Sequence, residues 1–91
     1  MLHLIAYDIA SGRRLRKVSR ICEDYGVRVE KSVFECDLTE SQFAEFWSEL
    51  STVVLADVDR VVDYPIGLLS KGKIKTIGRV KHYEPVMTYV F

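Results

Sequence analysis

The feature that most constrains the fold is a helical repeat of apolar residues that directly follows an apolar, strand-like segment. Residues 2–8 are mostly apolar, which is typical of a buried or half-buried strand. Ser11 and Gly26 then fit the two ends of a helix, as N-cap and C-cap. Between these caps, apolar side chains recur at helical spacing, at Leu15, Val18, Ile21, Cys22 and Tyr25. The sequence therefore predicts a strand over 2–8 and an amphipathic helix over 12–25.

The middle of the chain predicts a second helix but leaves the structure of the segment before it open. The alternation of apolar residues changes phase within residues 27–38, and either a bulge or a very tight hairpin near Glu30–Ser32 would explain the shift. Thr39 and Gln42 then fit a capping box. The apolar stripe of a second helix follows, made up of Phe43, Phe46, Trp47 and Leu50.

The last third of the chain predicts further strands, over 58–64, 74–80 and 86–91, with Pro65 closing the first of them. This order of elements predicts one α+β domain in which two helices cover one face of a sheet. If 27–38 is a hairpin, the order becomes the ferredoxin-like βαββαβ; if it is one bulged strand, the topology stays open. The strand over 86–91 needs a partner, at a sheet edge of its own domain or of a second protomer.

Charge is strongly segregated along the chain, although the formal net charge is zero. Residues 13–31 carry seven Lys and Arg against three acids, residues 35–63 carry eight acids against Arg60, and residues 71–81 carry five bases. Such blocks indicate either a basic face that takes a polyanion or merely a solvated surface. The bases near the start of the first helix oppose the helix macrodipole, which favours contact with a ligand.

Composition and motifs exclude several other classes of protein. With 48% hydrophobic and 29% charged residues, the chain is globular rather than disordered. It has neither an apolar run of membrane-spanning length nor a signal-peptide pattern, so we expect a cytoplasmic protein without a membrane partner. Cys22 and Cys36 match no disulfide framework or CxxC motif, which predicts reduced, structural thiols. Without GxxxxGK[ST] or GxGxxG, a nucleotide cofactor is not expected.

Asp8 is the only acid among the first 22 residues and ends the predicted first strand. One interpretation is an ordinary turn residue between strand and helix. The other is a metal ligand, although one carboxylate cannot complete the six oxygens that Mg²⁺ requires. Two copies of Asp8 that face each other across a two-fold axis could hold one ion together with water molecules. Such an ion could polarise a phosphodiester and activate water for its hydrolysis.

Two segments, YDIASGRRLRKV over 7–18 and YGVRVEKSVFEC over 25–36, closely resemble the Cas-two family of CRISPR-associated proteins. The YDI and SVFE motifs are separated by a basic helix of matching length, and the resemblance covers the whole chain. Glu30 departs from the family, whose members often carry Gln there. The resemblance implies one ferredoxin-like domain over 1–91 that forms a homodimer. Residues 1–80 would form its core, and 81–91 would pair with the partner's sheet.

The resemblance also implies a role in the acquisition of new spacers, in which the dimer bridges two dimers of the Cas-one integrase. The dimer would bind the backbone of double-stranded DNA without sequence preference. Several members have been assigned metal-dependent cleavage of single-stranded RNA or double-stranded DNA. Asp8 would then be the catalytic residue and would share one Mg²⁺ with its copy, supported by Tyr7, Ser32 and Phe34. Phosphate contact is expected from the basic block, at Arg13, Arg14, Arg16, Lys17, Arg20, Arg28 and Lys31.

Two other functions are compatible with a small α+β domain that has an acid at a strand end. One is a small ribonuclease of the toxin–antitoxin type, which would cleave cellular RNA and be toxic on expression. The other is a non-catalytic regulatory module that binds a small molecule. The basic blocks at 13–31 and 71–81 count against the regulatory module, which would show no affinity for nucleic acid at low salt.

Overall fold

Four strands and two helices make up the described part of the computed structural model, which covers residues 1–67, 73 and 75–78. The strands are β1 (Leu2–Asp8), β2 (Val27–Glu30), β3 (Val33–Asp37) and β4 (Arg60–Ile66), and the helices are α1 (Gly12–Tyr25) and α2 (Glu40–Ser51). The sheet order is β2-β3-β1-β4, and all neighbouring strands are antiparallel. The predicted α+β class with ferredoxin-like βαββαβ order is confirmed. Within these ranges, no helix combines the length and apolarity needed to cross a membrane.

Both helices pack on the same face of the sheet, and the hydrophobic core lies between the helices and that face. Its buried side chains come from β1, β3, the residue after β3 and both helices, namely Ile5, Tyr7, Val18, Cys22, Phe34, Cys36, Leu38, Phe46 and Leu50. Because successive strand residues alternate between faces, Leu4, Ala6 and Asp8 lie on the opposite side of the sheet. Among the residues that the structure describes, neither α1 nor α2 covers that side, which we call the uncovered face.

The two cysteines belong to this core as free, buried thiols. Burial raises the pKa of both, to about 12 for Cys36. Neither thiol is therefore a thiolate at neutral pH, and both fill space as small apolar side chains. This environment fits their predicted structural role.

The segment 27–38 forms a hairpin with an irregular pairing, so both explanations of its phase change apply. Lys31 and Ser32 connect the two strands, and the register shifts between Arg28 and Glu30. Val27 pairs with Glu35 on the uncovered face, whereas Phe34 lies in the core. The apolar residues of β2 and β3 thus serve different faces of the sheet, which a change of phase alone cannot reveal.

The prediction that Pro65 closes a strand is wrong, because β4 continues to Ile66. Pro65 is tolerated inside the strand because β4 is the last strand on its side of the described sheet, where one backbone N–H is dispensable. The strand expected over 74–80 is absent at Lys75–Gly78, the residues of it that the structure describes. The strand expected over 86–91 lies outside the described residues.

Gly26 allows α1 to end directly against β3. Its backbone is extended, and its N–H donates to the Cys22 carbonyl at 2.9 Å. A Cβ atom at this position would overlap the Glu35 carbonyl oxygen and the Cys36 sulfur. The absence of a side chain, rather than an unusual backbone angle, is therefore what the close approach requires.

Replacing Gly26 with alanine is expected to lower the free energy of unfolding by about 1–3 kcal/mol, the usual range for overpacking. Gly12→Ala is the matched control, because the nearest atom to its Cβ would be Arg16 Nη1 at 3.6 Å. This control should retain or slightly gain stability, since alanine is the better helix residue. Urea denaturation followed by the fluorescence of the single tryptophan, Trp47, measures both. Wild-type stability of Gly26→Ala would contradict the close packing.

Asp59 joins the loop before β4 to the loop between β1 and α1. Its side chain is 0% exposed and forms an ion pair with Arg14. The carboxylate accepts two hydrogen bonds from the Arg14 guanidinium, at 2.8 and 3.1 Å. It also accepts the N–H groups of Ala10 and Leu55, each at 2.9 Å. The bond from Arg14 holds the pKa of this carboxyl well below its ordinary range.

The low pKa of Asp59 predicts how stability depends on pH. Its carboxylate stabilises the fold above the unfolded pKa of about 4, and this contribution is lost as the pH falls toward the folded pKa. Asp59→Asn should therefore lower the midpoint of urea denaturation at pH 7. It should also make that midpoint fall less steeply than in the wild type as the pH is lowered from about 5 to 3. Asp57→Asn, at an exposed position of the same loop, should keep the wild-type profile. Equal pH profiles for Asp59→Asn and the wild type would refute this role.

Candidate nucleic-acid interface and metal site

Asp8 is the last residue of β1 and lies exposed on the uncovered face. In the ladder between β1 and β4 its partner is Arg60, the first residue of β4. Both residues line a shallow groove of about 280 Å³, together with Ala6, Tyr7, Val62 and Tyr64. The Asp8 carboxylate is therefore accessible to solvent on the uncovered face of the sheet.

One protomer supplies a single ligand for a metal ion at this position. Within residues 1–67, 73 and 75–78, no three His, Cys, Asp or Glu side chains come together as a metal site. No hydrogen bond or ion pair to another of these residues engages the Asp8 carboxylate. Its oxygens suit the chemistry of Mg²⁺, but one carboxylate does not complete the shell of that ion, and the described residues of this chain supply no further acid beside it.

The side chain of Tyr7 lies on the opposite face of the sheet from that of Asp8, although the two residues are neighbours in sequence. Its side chain is buried in the core, and its hydroxyl lies 2.8 Å from Ser19 Oγ. The same hydroxyl donates to the Lys31 carbonyl at 3.5 Å, and the Tyr7 N–H donates to the Ser32 carbonyl at 3.1 Å. Burial raises the pKa of this phenol. Tyr7 thus ties β1 to α1 and to the β2–β3 turn beneath the sheet, and does not face the Asp8 groove with its side chain.

The residues of the RVEKSVFE stretch that were predicted to contact phosphate or support the site mostly contact one another. The Arg28 guanidinium lies 4.7 Å from the centre of the Phe34 ring, which is fully buried. It also donates to the Lys31 carbonyl and lies 3.5 Å from the Glu23 carboxylate. Arg28 and Phe34 therefore support the hairpin from the helix-covered side. The side chain of Lys31 is exposed at the turn.

The exposed cations of α1 form a single stripe. Arg13, Arg16, Lys17 and Arg20 are exposed and follow the i, i+3, i+4, i+7 spacing of one helix face. The stripe lies away from the sheet, since Val18 and Cys22 are the buried residues of this helix. Its four positive charges form a linear array that solvent and a polyanion can both reach.

Arg14 differs from the other bases of α1, because it is directed at Asp59 rather than at solvent. Its side chain is 23% exposed, and two of its guanidinium nitrogens bond the buried carboxylate. The structure gives this arginine a role in holding the loop that follows Asp8. Its contact with phosphate stays a prediction.

Three residues near the site escaped the sequence analysis: Ser19, Asp59 and Arg60. Ser19 is one hydroxyl in a helix, Asp59 is the residue before β4, and Arg60 begins that strand without any recognised motif. A lone acid amid a largely exposed acidic block gave no sign that it would be buried. Only the ladder between β1 and β4 shows that Arg60 is opposite Asp8.

The chain matches the family model described as CRISPR associated protein Cas2 over residues 1–74. It is 35% identical to the CRISPR-associated endoribonuclease Cas2 of Nitratidesulfovibrio vulgaris, over 93% of this chain and 88% of the relative. It is 37% identical to the CRISPR-associated endonuclease Cas2 of Halalkalibacterium halodurans, over 86% of each.

Solved structures show the same relationship. The structure of Streptococcus pyogenes Cas2 matches with a TM-score of 0.76 and 32% identity, over 86% of this chain and all (100%) of that one. A hypothetical protein from Thermus thermophilus matches with a TM-score of 0.78 and 29% identity, over 86% of this chain and 90% of that one. Family model, relatives and structures agree with the resemblance of the YDI and SVFE motifs. This chain therefore belongs to the CRISPR-associated Cas2 family.

Proposed function

We propose that this chain acts in CRISPR adaptation as a homodimer that binds the backbone of duplex DNA and bridges two dimers of the Cas-one integrase. The observation that carries the proposal is the exposed stripe of Arg13, Arg16, Lys17 and Arg20 on one face of α1. Membership of the Cas2 family supplies the biological setting. It favours adaptation over a toxin-type ribonuclease or a regulatory module.

The stripe suits the phosphate backbone better than the bases. Arginine and lysine side chains neutralise phosphates at any sequence, and contacts of this kind position a duplex without reading it. Acids are the only charged residues of α2, and all three, Glu40, Glu45 and Glu49, are exposed, with Glu49 accepting the hydroxyl of Tyr25 at the end of α1. Nucleic acid is therefore directed to α1 and away from α2 by charge.

The uncovered face supports the proposed dimer. Leu4, Ala6, Val62 and Ile66 lie on this face half-buried, and Tyr64 is 54% exposed. A sheet face of this apolar character gains stability when a second layer covers it. A symmetric dimer through this face would bring the two Asp8 carboxylates together, because identical residues meet near a two-fold axis.

Metal-dependent cleavage is a second candidate activity, favoured by the accessible Asp8 and by the endoribonuclease and endonuclease names of the relatives. The two Asp8 carboxylates would hold one Mg²⁺, which would polarise a bound phosphodiester and activate a water molecule. Single-stranded RNA and double-stranded DNA are the two substrates to test.

Removing charge from the α1 stripe is expected to weaken DNA binding in a salt-dependent way. The double variant Arg16→Ala/Arg20→Ala should reduce the slope of log affinity against log salt by about 2, one for each lost phosphate contact. Fluorescence anisotropy with two unrelated duplexes measures the slope and its independence of sequence. The matched control, Arg16→Lys/Arg20→Lys, keeps both charges and should keep most of the affinity. An unchanged slope in the alanine variant would contradict the stripe.

Asp8→Ala is expected to abolish Mg²⁺-dependent cleavage, by more than about 100-fold, because the ion loses its protein ligands. The dimer and its affinity for duplex DNA should remain intact, as shown by sedimentation and anisotropy. Asp57→Ala, at an exposed acid away from the groove, is the control and should cleave like the wild type. Full cleavage by Asp8→Ala would rule out the metal role and leave the proposal on DNA binding untouched.

A further inference from the structure

We propose that Arg60 is a second functional residue of the Asp8 site and binds the phosphodiester that the metal ion orients. This inference deepens the proposed function and rests on the binding of a divalent ion by Asp8. Arg60 was not among the residues that sequence motifs identified. It is assigned here from its position in the sheet.

The position of Arg60 follows from the ladder between β1 and β4. Asp8 and Arg60 are directly opposite each other in an antiparallel pair, so their side chains leave the same face of the sheet. The Cβ atoms of such pairs lie about 4.5–5.5 Å apart, within the reach of an arginine side chain. Both residues are exposed and line the same groove. A phosphate group bound beside Asp8 therefore comes within reach of the guanidinium.

The charge balance of the proposed site favours such a cation. Two Asp8 carboxylates carry two negative charges, which cancel the two positive charges of one Mg²⁺. Once the ion's own charge is counted, the formal sum is zero, so the ion and the carboxylates together add little long-range attraction for a phosphodiester anion. The two Arg60 side chains of a dimer make the site positive. A guanidinium also bonds two phosphate oxygens at once, which fixes their orientation.

Other described arginines are badly placed for this role. Arg14 is bonded to the buried Asp59, and Arg28 lies over Phe34 on the helix-covered side. The stripe of α1 projects from the helix layer, on the far side of the sheet from the groove. Among the strand residues that the structure describes, Arg60 is the one Lys or Arg on the uncovered face.

The position of Arg60 predicts that removing its guanidinium has opposite effects on the affinity for a metal ion and on the affinity for nucleic acid. A guanidinium beside the carboxylates repels a divalent cation, so its removal should strengthen metal binding. The same guanidinium attracts the phosphate, so its removal should weaken the binding of nucleic acid to the metal-loaded protein. A variant that merely damaged the fold would weaken both.

The test compares Arg60→Ala, Arg60→Lys and the wild type, with Mn²⁺ as a spectroscopic substitute for Mg²⁺. Electron paramagnetic resonance measures the dissociation constant of Mn²⁺, and anisotropy measures the binding of duplex DNA and, in parallel, of single-stranded RNA. In Arg60→Ala we expect Mn²⁺ to bind about two- to fivefold more tightly and nucleic acid about three- to tenfold more weakly. Arg60→Lys should keep the wild-type affinity for Mn²⁺ and only part of the affinity for nucleic acid.

Controls separate this inference from the function on which it rests. Lys75→Ala removes one exposed charge elsewhere and should leave Mn²⁺ binding unchanged. If Arg60→Ala changes neither affinity, or weakens both, the role of Arg60 is refuted while the metal site stands. If the wild type binds no Mn²⁺, or Asp8→Ala still binds it, the metal site itself is refuted, and the role of Arg60 with it. The nucleic acid whose binding Arg60→Ala weakens identifies the source of the phosphodiester.

Discussion

The alternation of side chains along β1 is the constraint on which the rest of the molecule depends. This strand lies in the interior of the sheet and pairs with both β3 and β4. It directs Ile5 and Tyr7 into the core, whereas Ala6 and Asp8 emerge on the uncovered face. A shift of one residue would bury the acid and expose the tyrosine, at a large cost in free energy. Core stability and the exposure of Asp8 are therefore two results of one register.

The buried Asp59 extends this control to the loops around the site. It directly precedes Arg60, and it accepts the N–H of Ala10, two residues after Asp8. A single carboxylate thus connects the segment that follows Asp8 to the residue that precedes Arg60. The guanidinium of Arg14 compensates its charge. A carboxylate that links both strand ends in this way restricts the positions open to the Asp8 and Arg60 side chains.

The basic residues divide into groups with different physical tasks. Arg14 and Arg28 have partners within the protein, where they neutralise or cover buried groups. The exposed stripe of α1 has no such restriction and suits a long polyanion. The acids divide in the same way. Asp59 and Asp63 are directed inward, and Asp63 Oδ1 lies 2.7 Å from His3 Nδ1. Glu40 and Glu45 remain on the surface. Counting charges along the chain therefore overstates the charge of its surfaces.

The helices, their caps and the central strand were determined by the sequence itself, because each depends on residues within one or two turns of one another. The capping box of Thr39 and Gln42 and the cap at Ser11 are examples, and both are present. The helical spacing likewise placed Arg13, Arg16, Lys17 and Arg20 away from the apolar stripe, while the metal role of Asp8, implied by the family resemblance, stays a prediction. Only the tertiary structure decided that Arg14 bonds Asp59, that Pro65 lies inside an edge strand, and that Arg60 is opposite Asp8. Each of these depends on strand register and burial, which arise when distant segments pair and leave no local signal in the chain.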